Sequence, residues 1–184
     1  MEYHRCEGEC YVKLSVISSL TAAGFSSFGC VIETPSRNPD IATKDNRYWD
    51  GVVPFRATGI PQVGFLEVYW RPLIVSAIEQ HHTHTQAFIP LGGVSLIQVV
   101  APPGTNPAVD PEALRAFFLD GTKGVLLHEG TWHALLFPLA PVAHIMLLLQ
   151  EGTKEHDMHV VTLPEPVRIE FPQEWGDEGA PRYR

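Results

Sequence analysis

The stretch EQHHTHTQAFIPLGG, residues 79–93, decides how this chain is read. Three of its nine histidines, His81, His82 and His84, crowd into four positions. Glu79 precedes them, and a glutamine, an apolar run and two glycines follow. Imidazoles beside a carboxylate suit metal ligation or proton transfer, because imidazole titrates near neutrality and carries two distinct nitrogens. If the stretch is extended, His82 and His84 point opposite to His81 and belong on the rim, with a break in the alternation before Gln86.

Apolar runs on either side carry the fold. VGFLEVYW (63–70), LIVSAI (73–78), VSLIQVVA (94–101), RAFFL (115–119), GVLLH (124–128), HIMLLLQ (144–150) and HVVTL (159–163) are short and rich in branched residues, with turn residues between them. With sixteen prolines and fifteen glycines as punctuation, this pattern predicts an all-β sandwich or barrel. Helix signals are few. One short helix is expected within 19–29, capped by Ser19 or Thr21, and one turn at DPEAL (110–114), with Asp110 as cap and Pro111 in the first helical position.

The 184 residues fit one domain over 1–184, with a core expected at 17–171. The Pro-, Asn- and Asp-rich segment 34–62 reads as a long loop whose RYWDG (47–51) either closes the pocket or packs as an anchor, and 172–184 reads as a peripheral tail. A formal charge of −8 argues against nucleic acid, which rewards clustered Lys and Arg. No window is long and apolar enough to span a membrane, and MEYHRCEGEC lacks the apolar core of a signal peptide. Cys6 and Cys10 (C-x3-C) have no second pair to complete a zinc site, and with Cys30 they read as reduced thiols of a cytoplasmic protein.

A second stretch completes the chemistry. In GTKGVLLHEGTWHALLFPL (121–139), His133 lies among apolar residues where a strand re-enters the core, an unusual place for an imidazole unless it faces a cavity. Together the two stretches resemble the paired motifs of the cupin superfamily, G-x5-H-x-H-x3/4-E-x6-G and G-x5-P-x-G-x2-H-x3-N. The first falls on Glu79, His81, Gln86 and Gly93. The second falls on Gly130 and His133, with His128 at the place of the proline.

A narrower resemblance follows from FSSFGCVIET (25–34), TQAFIPLGG (85–93), LRAFFLDGTKGV (114–125) and GTWHALLF (130–137). They look like the F-x-x-[FY]-G-x-V-I-E, E-x-H-P-x-x-[ST]-Q-A-F-I-P, L-R-A-F and W-H-H-P segments of the ureidoglycolate lyase family. That resemblance implies a cupin jelly roll, a homodimer, and cleavage of ureidoglycolate to glyoxylate and urea during purine breakdown. It places Glu79, His81, Gln86 and His133 in the catalytic set. The same four would be the ligands if a metal is bound. Either no cofactor is required, or a weakly held divalent metal, nickel among the candidates.

Three family positions differ. E-R-H-P reads Glu79-Gln80-His81-His82, W-H-H-P reads Trp132-His133-Ala134-Leu135, and I-D-R-G reads Leu148-Leu149-Gln150-Glu151. A carboxylate substrate favours a guanidinium or ammonium clamp, so Arg71, Arg115 and Lys123 are expected substrate contacts, with His128 at the pocket mouth. Two further readings keep the fold and change the function. One is an acid–base dehydratase, isomerase or cyclase acting on another small hydroxy or keto compound. The other is a non-enzymatic metabolite-binding cupin.

Overall fold

A computed structural model describes residues 5–6, 9–10, 12–14, 17–108 and 110–175. In chain order its strands begin with β1 (Arg5–Cys6), β2 (Glu9–Cys10), β3 (Val12–Leu14) and β4 (Ile17–Ser19). Helix α1 (Ala22–Phe25) precedes β5 (Gly29–Ile32), β6 (Ile41–Ala42), β7 (Arg47–Tyr48), β8 (Pro61–Tyr69), β9 (Ile74–Gln80) and β10 (Gln86–Leu91). Next come β11 (Leu96–Ala101), β12 (Arg115–Leu119), β13 (Gly124–Leu127), β14 (Trp132–His133), β15 (Phe137–Pro138) and β16 (Val142–Gln150). Helix α2 (Thr153–His156) and β17 (His159–Ile169) complete the order.

Two sheets make the sandwich, as the alternating apolar runs predict. The smaller has the order β5-β13-β10-β16-β8. The larger runs β3-β17-β9-β14-β11-β12-β4, with β15 also paired to β11. Strand β11 explains why one run, LIQVVA, is apolar on both faces except at Gln98. Leu96 and Val100 enter the core between the sheets, and Ile97, Val99 and Ala101 enter a second core on the opposite face of the larger sheet. A strand covered on both faces loses the polar alternation of a half-exposed one.

That second core also takes up residues near the C-terminal end of the described chain. Phe171 and Trp175 pack against it, and the Trp175 ring meets Phe118 edge-on with centroids 5.4 Å apart. The backbone of Val12–Leu14 also pairs in parallel with the end of β17. Of the tail, 176–184 lies outside the described residues, as do the side chains of Cys6 and Cys10.

Local structure departs from expectation in two places. Strand β17 crosses Pro164 and Pro166, which donate no ladder hydrogen bond; its register against β9 shifts between Thr162 and Val167, and β3 joins only from Val167 onward. Helix α1, four residues long, lies within 19–29 as expected. Thr21 caps it, its Oγ1 accepting from Gly24 N at 3.1 Å, and the chain must be extended again by Gly29 to pair with β13. At 110–114, Asp110 gives no side-chain cap to the turn Pro111–Ala113.

The long loop 34–62 is an anchored structure. Arg37 donates to the Asp40 carboxylate at 2.7 Å and to Asp50 O at 2.5 Å, and Trp49 Nε1 donates to Arg37 O at 2.9 Å. RYWDG is therefore tied into the loop's own network. Its last part, 56–58, runs antiparallel to 83–85: Thr85 N donates to Arg56 O, Thr58 N donates to Thr83 O, and Ala57 bridges His84.

Gly29 gives a sharp test of this packing. A Cβ there would overlap the Leu126 carbonyl oxygen and come within 3.0 Å of Leu127 Cα, both rigid backbone. Gly29→Ala should destabilise by ~1–3 kcal/mol or more. Gly104→Ala, at φ +79° with open space around it, should cost only ~1 kcal/mol. Urea unfolding of both variants checks the ranking.

Candidate functional site

Strand register brings the two sequence stretches together. In the larger sheet His133 of β14 stands directly opposite Glu79 of β9, and on its other side opposite Val100 of β11. Val100 belongs to the core between the sheets and Trp132 to the core on the far face, so Glu79 and His133 both face the interior. His81 follows at the end of β9, and its ring centroid lies 5.2 Å from that of His133. From the facing sheet, the Phe88 ring of β10 meets His133 edge-on at 5.7 Å. Gln86, two residues before Phe88 on the same face, is 6 % exposed.

Hydrogen bonds fix the tautomers of both imidazoles. His81 Nδ1 is 2.6 Å from Asp157 O, and His133 Nδ1 is 3.1 Å from Thr131 O. A carbonyl only accepts, so each Nδ1 carries the proton and each Nε2 presents its lone pair inward. Neither Nε2 has a hydrogen-bond partner, although both are buried. His133 Nε2 does lie 3.3 Å from Glu79 Oε1, close enough for an ion pair but outside hydrogen-bond geometry. Two lone pairs at that distance repel unless a proton or a cation sits between them.

Electrostatics agrees with that picture. His133 holds the Glu79 carboxyl below its ordinary pKa, outweighing burial, which acts the other way. Burial pushes His81 down, opposed by its bond to Asp157 O, so His81 rests as a neutral base. One donor atom from each of Glu79, His81 and His133 lies within 4.8 Å of the others, close enough for one divalent ion. The donor set fits such an ion, since both lone pairs are already oriented by backbone carbonyls.

The buried His84 overturns the expectation that it sits on the rim. It is 1 % exposed and stacks on His81, with centroids 5.2 Å apart and planes 22° apart. The segment does not alternate as a strand, because Asp157 gathers it into a turn. Asp157 Oδ1 accepts from His82 N, and Oδ2 accepts from Thr83 N and Thr83 Oγ1, at 2.9, 2.9 and 2.6 Å. His84 Nδ1 is 3.2 Å from the same Oδ2, and its Nε2 is 3.3 Å from Thr153 Oγ1. Both nitrogens of His84 are thus engaged inside the protein, whereas His81 and His133 each keep one free. His82 is exposed and packs edge-on against His159.

The expected substrate contacts have partners of their own. Arg71 donates to Leu135 O and Leu136 O and lies over the Phe137 ring at 4.0 Å. Lys123 pairs with Glu33 at 2.6 Å. Arg115 bonds Glu112 O and Leu114 O and borders a separate surface groove with Ser18, Ser19 and Thr21. His128 Nε2 lies 3.3 Å from Ser26 O. Asp157 and Thr153 carry no signal in the sequence, because the stretch TKEHD (153–157) matches no motif and lies about 70 positions from the histidines it organises.

Comparison with known proteins falls on this same region. A family model described as ureidoglycolate lyase matches residues 13–170. A ureidoglycolate lyase of Pseudomonas syringae is 34% identical over 133 residues, covering 64% of this chain and 72% of that one. One of Azotobacter vinelandii is 30% identical over 147 residues, covering 77% and 87%. One of Salmonella paratyphi B is 30% identical over 161 residues, covering 84% and 98%.

Asp157 supplies the test of this construction. Burial would raise its pKa, yet the hydrogen bonds from Thr83 and His82 and the nearby His84 hold it at about 2, below 3.8. A depressed carboxylate stabilises the fold fully above its unfolded pKa, and the contribution disappears as pH falls from near 4 through about 2. Asp157→Ala should therefore lose roughly 2–4 kcal/mol at pH 7. That gap to wild type should narrow across this acid window in denaturant titrations.

Proposed function

Because the chain belongs to the ureidoglycolate lyase family, we propose that it cleaves ureidoglycolate to glyoxylate and urea at the Glu79–His81–His133 cluster. One observation carries the reading: two buried imidazoles, each locked with its proton on Nδ1, aim unpartnered Nε2 lone pairs into one interior beside a carboxylate.

The chemistry needs a base and little else. Removing the hydroxyl proton lets the C–O electrons close to a carbonyl while the C–N bond breaks. The departing ureido nitrogen takes up a proton, so glyoxylate and urea leave with atoms and charge balanced. A neutral Nε2 serves as the base, and the imidazolium so formed returns the proton to the nitrogen. Glu79, 3.3 Å from His133 Nε2, stabilises that imidazolium. The committed Nδ1 bonds keep the rings from turning away. Gln86, with its buried Oε1 free of any protein partner, is placed to orient the bound molecule.

The same three donors fit a divalent ion, which when bound would supply a Lewis acid that lowers the pKa of the substrate hydroxyl. Two imidazoles and one carboxylate are fewer donors than a full four-ligand site offers, so the ion should be held weakly and follow availability, nickel included. We place the protein in the cytoplasm. On the outer face of the smaller sheet, Val63, Phe65 and Tyr69 of edge strand β8 stand more than 60 % exposed; we assign this face to a homodimer.

Purified protein should release glyoxylate from ureidoglycolate, read by coupled reduction. His133→Asn should fold and bind yet lose ~10²–10⁴-fold in kcat. A lower melting temperature with unchanged kcat in the folded fraction would make His133 a packing residue instead. Dialysis against chelator should strip any metal, and metal remaining in stoichiometric amount would contradict weak binding.

A further inference from the structure

Among the described residues, four buried side-chain atoms have no hydrogen-bond partner: His81 Nε2, His133 Nε2, Gln86 Oε1 and Gln98 Oε1. The first three belong to the cluster already described. Gln98 belongs to no motif, and its Oε1 is a fourth bare acceptor, on the strand that pairs with His133.

Its place is set by strand alternation. Leu96, Gln98 and Val100 share the inner face of β11, and the two neighbours are wholly buried in the core between the sheets. Val100 stands opposite His133. Gln98 itself is 0 % exposed. Its Nε2 donates to Ala134 O at 3.0 Å and to Val99 O at 3.3 Å. Both partners are carbonyls, so only the NH2 end can face them, and the orientation of the amide is settled by chemistry. Oε1 is left as a single acceptor held rigidly beside the residue that follows His133.

The two ends of this amide differ in what the fold asks of them. Nε2 has a structural task, because an apolar side chain would leave the buried Ala134 O without that donor, whereas nothing in the protein uses Oε1. A buried acceptor left bare costs more than one neutral hydrogen bond returns. Stability lost at a position facing a binding site is the usual signature of function. All four bare atoms accept, so their complement is a molecule that brings donors. A ureido group, with three N–H bonds, is such a molecule.

We infer that Gln98 is a specificity-determining residue whose Oε1 accepts a hydrogen bond from the terminal NH2 of a ureido substrate. This rests on the cleavage reaction given under Proposed function. The discrimination comes from the empty alternative: a substrate with a methyl group in place of the NH2 would leave Oε1 bare.

The experiment compares ureidoglycolate with its acetamido analogue, N-acetyl-2-hydroxyglycine, which keeps the hydroxyl, the carboxylate and the inner N–H. Wild type should favour ureidoglycolate by at least ~10-fold in kcat/KM, as expected for one buried hydrogen bond. Gln98→Met, similar in volume and without polar hydrogen-bonding groups, should fall ~10–100-fold on ureidoglycolate, mostly through KM. On the analogue it should stay within about 3-fold of wild type, while its melting temperature falls modestly because Ala134 O loses its donor. Equal losses on both substrates, or a preference that survives in Gln98→Met, would overturn the assignment. So would a wild type that accepts both substrates equally, a result that needs no variant to fold. If wild type turns over neither substrate, the cleavage reading itself falls and this inference with it.

Discussion

The site depends on how Asp157 is held. Its backbone carbonyl fixes the His81 tautomer, and its carboxylate gathers His82, Thr83 and His84 into one turn. Hydrogen bonds to an ionised acceptor are about twice as strong as neutral ones, and this carboxylate accepts three. Without it, the segment between β9 and β10 would be free to alternate as a strand. His84 would then turn outward, and His81 would lose both its stacking partner and its oriented lone pair.

A second constraint is charge. An interior whose bare atoms all accept suits an anionic substrate poorly, and the whole chain carries −8. Long-range steering cannot help, so the compensating positive charge must arise inside. An imidazolium beside Glu79 would supply it, and so would a divalent ion on the same three donors. In either form, Glu79 and His133 at 3.3 Å cease to repel. The geometry that makes the empty site unfavourable is the geometry that makes a cation welcome there.

How far the sequence could be read follows from what each signal measures. Hydrophobic runs report burial, and strand runs such as RAFFL match β12 residue for residue. Strand β10 was visible only as a motif, since QAFIPL is central to the smaller sheet and carries a proline next to its end. Glu79, His81 and His133 could be singled out because a carboxylate and imidazoles in apolar surroundings need a reason. Gln98 could not, for a lone glutamine inside LIQVVA reads as tolerated polarity. Asp157 and Thr153 act from across the fold, and no local pattern encodes a contact made through tertiary structure. Arg71 shows what a strand-end guanidinium hides in sequence: it reads as a clamp, and in the fold it also ties down the Leu135 and Leu136 carbonyls and lies over the Phe137 ring.

The departures from the family pattern then acquire a physical sense. Where the family carries an Asp–Arg pair, this chain has Leu149-Gln150. Gln150 Oε1 accepts from Thr58 Oγ1 and Gly59 N, and its Nε2 donates to Thr83 Oγ1. One neutral amide thereby ties the long loop to the histidine segment. Two charges taken out of water seldom repay their desolvation, so a satisfied neutral group can replace a buried pair with little loss. The turn keeps a strong anion all the same, because Asp157 approaches it from α2's C-terminal end. Loss of the Asp–Arg pair therefore bears on how the loop is fastened, while the three donors facing the interior keep their geometry.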